Sequence, residues 1–271
     1  MRILAALAVV ALCASACAEK RPAAAPAPPV QFQRLSTDPV AHGERLAVVL
    51  GCKGCHGADL TGEDWSEPGF GGLWTANLTR AVPGYTDAQL AQVIRGGARP
   101  DRELWVMPSH LFTQLSADEM SALVAYLRSR PPSGEIHPAP TFEEGARREV
   151  AAGKLISSQA QVRKEGAAWP PDAGAEHALG RHIVRATCAE CHGLDLRGGR
   201  PDPKAAPRPD LRMAAAYEPE QFRRLLRTGK AAGEREVGLM SEVARGRYRR
   251  LTDAEVDAIH GYLKTVAEVA P

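Results

Sequence analysis

Cys52-Lys53-Gly54-Cys55-His56 returns later in the chain as Cys188-Ala189-Glu190-Cys191-His192, and these two pentapeptides decide how the rest is read. Two thiols three residues apart sit on one turn, where they can add to the two vinyl groups of a single porphyrin as thioethers. The histidine that follows at once meets the iron from its proximal side, so Cys-x-x-Cys-His is the attachment signature of c-type haem. Competing uses of a Cys-x-x-Cys pair fit less well. A thioredoxin-like redox centre belongs beside a βαβ pattern, and no such alternation flanks either motif. Zinc needs four ligands near each pair, and the chain has only six cysteines. The expected cofactors are two haem c groups, held covalently by Cys52, Cys55, Cys188 and Cys191, with His56 and His192 as iron ligands.

Outward from the motifs, the chain matches itself at a shift of 136 residues: Asp59-Leu60-x-Gly62 falls on Asp195-Leu196-x-Gly198, and Tyr126-Leu127 on Tyr262-Leu263. Between these points the shift drops to about 132 or 133, where Tyr85 meets Tyr217 and Gly97 meets Gly229. One domain occurs twice, at too long a period for a solenoid. Both copies read as helical. Ser116-Ala117-Asp118-Glu119 and Thr252-Asp253-Ala254-Glu255 are capping boxes that open a terminal helix in each copy, with apolar residues following at helical spacing. Thr86 and Glu218-Pro219 open a further helix in each, and no useful strand-like alternation occurs. The expected fold class is all-α: two tandem helical domains, 37–130 and 176–271, each wrapped around one covalently attached haem. The proline-punctuated connection 131–175 is expected to wrap along one domain, with a helical turn or two around Glu143 to Ala152.

Aromatic residues make up only 5% of the 271, so each domain is expected to lean on its porphyrin as core material. The first residues, 1–18, read as an export signal: Arg2, then an apolar stretch from Ile3 to Leu12, then small residues. That stretch is too short to span a bilayer as a mature helix. Two processing routes stay open. Ala14-Ser15-Ala16-Cys17 resembles a lipobox, which would leave Cys17 lipidated and the protein anchored to a membrane, and this route is slightly favoured. Ala16-Cys17-Ala18 resembles an ordinary signal-peptidase site. Either route places the chain in the periplasm, tethered there as a lipoprotein in the first case. Residues 19–36, rich in alanine and proline, are expected to form an extended tether.

An electron carrier needs its distal coordination position filled, and a thioether opposite histidine raises the potential relative to two histidines. Met107 comes 51 residues after His56 and Met240 comes 48 after His192, each before a terminal helix, and this matched placement makes them the expected distal ligands. Met120 lies on a helical apolar stripe and reads as core; Met213 has no counterpart in the first copy. His110 and His182 are the rival ligands. His42, His137, His177 and His260 read as surface or local hydrogen-bonding residues. Trp65, Trp74 and Trp105 crowd the first copy, either against the porphyrin or as ordinary core.

With haem motif, distal methionine and terminal helix each present twice, the chain resembles the diheme cytochromes c of class I type. The first copy is closer, through its motif, Asn77-Leu78-Thr79, Met107-Pro108 and Leu115 to Arg128; the second lacks proline after Met240. The resemblance implies His56 and Met107 on one iron, and His192 and Met240 on the other. It implies outer-sphere Fe(II)/Fe(III) electron transfer in the bacterial periplasm between a dehydrogenase or quinol-oxidising complex and a terminal oxidase or reductase. The expected partners are redox proteins, with no nucleic acid among them, and no catalytic residue is expected. The alternative is a haem enzyme, peroxidase-like or thiosulfate-oxidising, with one exchangeable or unusual axial ligand. Residues 37–130 carry 8 basic and 11 acidic side chains, residues 176–271 carry 17 and 14. The basic residues around Met240 therefore form either a docking face for an acidic partner or ordinary solvated helix faces.

Overall fold

The computed structural model describes residues 29–200 and 205–269. The first half contains α1 (Pro39–Val49), α2 (Cys52–Cys55), α3 (Leu78–Ala81), α4 (Asp87–Gly96), α5 (Ser109–Phe112) and α6 (Ala117–Arg128). The connection adds α7 (Glu144–Ala151) and α8 (Ser158–Glu165). The second half contains α9 (Ala178–Thr187), α10 (Ala189–His192), α11 (Pro219–Thr228), α12 (Leu239–Gly246) and α13 (Asp253–Val269). Among the described residues only isolated β-bridges occur, so the all-α expectation holds. The signal residues 1–18 and Cys17 lie outside the described residues.

Each half is built on the crossing of its first and last helices, α1 on α6 and α9 on α13. Glycine makes both crossings close. A Cβ on Gly43 would run into the Ala122 carbonyl and Tyr126 side chain, and one on Gly180 into the Ala258 carbonyl and Tyr262 side chain. Only a residue without a side chain lets the backbones approach so nearly. The capping boxes form as read, Ser116 with Glu119 and Thr252 with Glu255, and two more open the helices begun at Thr86 and Glu218, Thr86 with Gln89 and Glu218 with Gln221.

The connection wraps the first half. Asn77 Nδ2 donates to the Ser133 and Glu135 carbonyls at 2.7 and 2.8 Å, Thr141 N to Gly72 O at 2.9 Å, and Ser158 N to Leu104 O at 2.8 Å. The helix expected near Glu143 to Ala152 is α7; α8 is an addition, capped by the Ser157 hydroxyl on Ala160 N.

The halves are joined through buried polar groups. Arg185 of α9, 1% exposed, donates to the carbonyls of His110, Leu111, Gly166 and Ala168. Residues 31–33, at the end of the expected tether, do not run free. Phe32 is 1% exposed, with its amide on Glu119 Oε1 at 2.8 Å, while the Gln33 amide binds Glu255 Oε1 at 2.8 Å. The two cap hydroxyls complete the symmetry: Ser116 Oγ donates to Gln31 and Thr252 Oγ1 to Gln33. A nitrogen side chain from the opposite half reaches each glutamate, His182 to Glu119 at 2.9 Å and Arg45 to Glu255 at 2.9 Å.

Candidate haem centres

In the first half, α1 ends at Leu50 and Gly51 turns the chain with φ +86°, so that α2 begins at Cys52 across the end of α1. The His56 ring follows on that turn, and its Nδ1 donates to the Ala76 carbonyl at 2.8 Å. The second half repeats this: His192 Nδ1 donates to the Pro209 carbonyl at 2.8 Å. A carbonyl at Nδ1 fixes the tautomer and leaves the Nε2 lone pair for a metal. Neither Nε2 has a hydrogen-bond partner among the described residues. Burial pushes both imidazoles below their usual range, which keeps them neutral and able to ligate.

A mostly apolar cavity of about 550 Å³ adjoins the first motif and is bordered by Cys52, Cys55, His56 and Met107. Trp65, Trp74 and Trp105 also line it, as do Ile136 and His137 of the connection. His137 stacks on Trp74 at 4.2 Å between centroids, with Nε2 on Thr61 O at 2.7 Å. In the second half a cavity of about 280 Å³ is bordered by Cys188, His192, Met213 and Met240; Cys191 stands one turn further on and is not in its wall. The donor sets fit haem c. Burial raises the Cys52 thiol to about 12 and that of Cys188 to about 11, so both stay uncharged at neutral pH. Conversion to thioethers removes an ionisable group from a place that disfavours charge.

The rival ligands lie elsewhere. His110 Nε2 faces Glu165 of α8 at 3.9 Å and borders neither cavity, and His182 is taken by Glu119 between the halves. Met120 is core at 3% exposure, as its stripe implied. His42 and His260 are buried, at 4% and 5% exposure, rather than at the surface. Met240 is not in a loop equivalent to that of Met107. Met107 precedes Pro108 in a non-helical stretch, behind Val106 at φ +67°, whereas Met240 sits in the first turn of α12 behind Gly238 at φ +59°. Without a proline after Met240 the helix starts there, and Ser241 holds it by donating from Oγ to Gly229 O at 2.6 Å. The basic residues flanking Met240 are largely paired: Arg223 with Asp257, Arg224 with Glu234, Arg227 with Asp253, and Lys230 and Arg245 with Glu236. Arg249 and Arg250 beside them are exposed and form no ion pair among the described residues, so the pairing covers most of this basic face and not all of it.

The family described as Cytochrome c matches residues 40–131 and again 177–267. The chain belongs to the cytochrome c family. This tandem cytochrome c is also similar to the fructose dehydrogenase cytochrome subunit of Gluconobacter japonicus, at 24% identity over 265 residues, covering 84% of this chain and 52% of that one. The chain thus spans about half the length of that relative. Family membership implies covalently bound haem c, which the cytochrome's two cavities and their cysteine, histidine and methionine walls fit.

Sequence reading missed what lies between the cytochrome's two motifs. Glu190 of the second motif borders the first cavity, and Arg247 reaches across to the turn at Gly51. The available signal was a break in the repeat: at a shift of 136, Glu190 falls on Gly54 and Arg247 on Leu111.

Proposed function

We propose that the protein is a diheme c-type cytochrome of the periplasm. In this reading it carries electrons singly between a dehydrogenase or quinol-oxidising complex and a terminal oxidase or reductase, as a carrier and not an enzyme. The observation that carries it is that His56 with Met107, and His192 with Met240, border one apolar cavity in each half. Haem, when bound, supplies the one-electron ferric/ferrous couple. The chain's own part is to present neutral His56 and His192 by Nε2, to offer a thioether from Met107 and Met240, and to keep water from the cavity. Similarity to a dehydrogenase's cytochrome subunit supports a dehydrogenase as electron donor. Lipidation at Cys17 would tether the molecule by the segment that leads to the buried Phe32. Among the described residues no helix is long and apolar enough to cross a membrane.

The test is a haem count and ferric spectrum of the purified, matured protein. Two haems per chain with methionine-to-iron charge-transfer absorption of matching intensity support the carrier. A colourless protein, or one that binds carbon monoxide readily at both centres, ends it. Met107→Ala is expected to open one iron to carbon monoxide, and Met107→His to lower one potential while the iron stays low-spin. A second reading, a haem enzyme with an exchangeable ligand at the second iron, draws on one feature: Met213, half exposed, borders the same cavity as Met240. Carbon monoxide binding at a single haem in the unaltered protein would favour it.

A further inference from the structure

The two attachment turns meet at the seam between the halves, and one ion pair joins them. Arg247, at the end of α12, donates from Nη1 to Glu190 Oε2 at 2.6 Å, with the two side chains 17% and 24% exposed. Glu190 lies inside the second Cys-x-x-Cys-His motif, yet it borders the first cavity. The guanidinium lies on the first motif. A Cβ on Gly51 would stand 2.5 Å from its central carbon, and one on Gly54 would stand 3.2 Å from Nη2. Gly51 also needs its left-handed backbone, at φ +86°, to turn α1 into α2. Two glycines thus leave room for a cation against the first haem's anchor. The copies differ here, with Leu111 and Gly54 at the positions matching Arg247 and Glu190. The duplication does not explain the pair.

Resting on the diheme carrier reading, we propose that Arg247 and Glu190 are positioning residues for electron passage between the two haem centres. They clamp the attachment turns together and set, by opposite charges, which iron holds the electron. A cation beside a centre favours its reduced state, because reduction adds negative charge, and an anion favours the oxidised one. Half-buried charges at this seam are screened less than surface charges. With both present their effects largely cancel at the first centre, so the pair is a balance that either substitution tips.

Spectroelectrochemical titration of the full holoprotein tests this, with internal electron exchange followed after flash reduction and thermal unfolding measured alongside. Arg247→Met leaves Glu190 unpaired and is expected to lower the first potential, whereas Glu190→Gln leaves Arg247 unpaired and is expected to raise it. Each should change the electron distribution between the haems by about tenfold, the scale of one partly screened unit charge. Arg247→Lys keeps the charge and should stay near the unaltered distribution. The double variant Arg247→Met/Glu190→Gln should regain the distribution while internal exchange stays slow, because the clamp is lost. Shifts of the same sign in the two single variants, or changes under about twofold in both, would overturn the proposal, since loosened structure alone moves potentials without regard to the sign of the charge removed. Should Arg247→Met fail to take up haem, Glu190→Gln and Arg247→Lys decide between the same outcomes. Failure of the carrier reading shows separately, as a missing haem or an open iron in the unaltered protein.

Discussion

At the scale of single residues, the candidate haem ligands are only half of each site; the other half is the group that aims them. His56 and His192 are held by backbone carbonyls, of Ala76 and Pro209, in identical fashion. Asn77 does comparable work one residue on. It caps α3 by accepting from Arg80 N, accepts from Thr79 Oγ1, and donates twice to the connection that walls the first cavity. Asn77→Ala should therefore lower stability by about 2 kcal/mol, the loss of a cap plus two part-buried hydrogen bonds to the connection, read as a drop in melting temperature. The cysteines, histidines and Met107 could be singled out in the sequence as candidates because the chemistry expected of them demands those residue types. The carbonyls that orient them were not, since any residue carries one. Met240 could be singled out as a candidate by its spacing, but its place in the first turn of α12 could not be read in advance.

At the scale of elements, the crossing of first and last helices depends on Gly43 and Gly180. Gly43→Ala and Gly180→Ala should each force the helices apart and lower stability by about 1–3 kcal/mol, with helix content retained, measurable by thermal denaturation followed by circular dichroism. Leu123→Ala on the same helix offers a comparison, as a cavity rather than a clash, at about 2–5 kcal/mol. Helices opened by a hydroxyl and a carboxylate or amide three residues apart could be read in advance, because both partners of the cap are local. Helix α8 could not. Its residues, Ser158–Glu165, are mostly polar, and what holds them is tertiary: Ser158 N on Leu104 O, and the next residue outward, Gly166, under Arg185.

At the scale of the whole molecule, the halves are married through buried charge. Burial alone would raise the Glu119 carboxyl, but the hydrogen bond and charge of His182, with the Phe32 and Ser116 amides, hold it below its usual value of 4.5. A carboxyl depressed in the folded state adds stability that is present above 4.5 and is lost as pH falls through the lowered value. Acidification should therefore loosen the seam, and Glu119→Gln should be less stable at neutral pH yet flatter in stability between about pH 5 and 3. Arg185→Met should cost about 3 kcal/mol, because it removes four charge-assisted hydrogen bonds at the seam and leaves the Leu111 and Ala168 carbonyls without their side-chain donor. A duplicated domain was plain in the sequence, but its pairing was not. Gln31, Phe32 and Gln33 carry no motif, and a run after alanine and proline looks like tether until its partners are located.

Synthesis delivers that three-residue stretch early, yet its two glutamate partners stand 87 and 222 positions downstream. Ring closure over such spans is slow relative to local contacts, so this early-made stretch docks late. A nascent molecule with only its first half made can fasten Phe32 but not Gln33. The finished latch thus reports that both halves have folded, readable as late protection of the Gln33 amide in pulse-labelled hydrogen exchange during refolding.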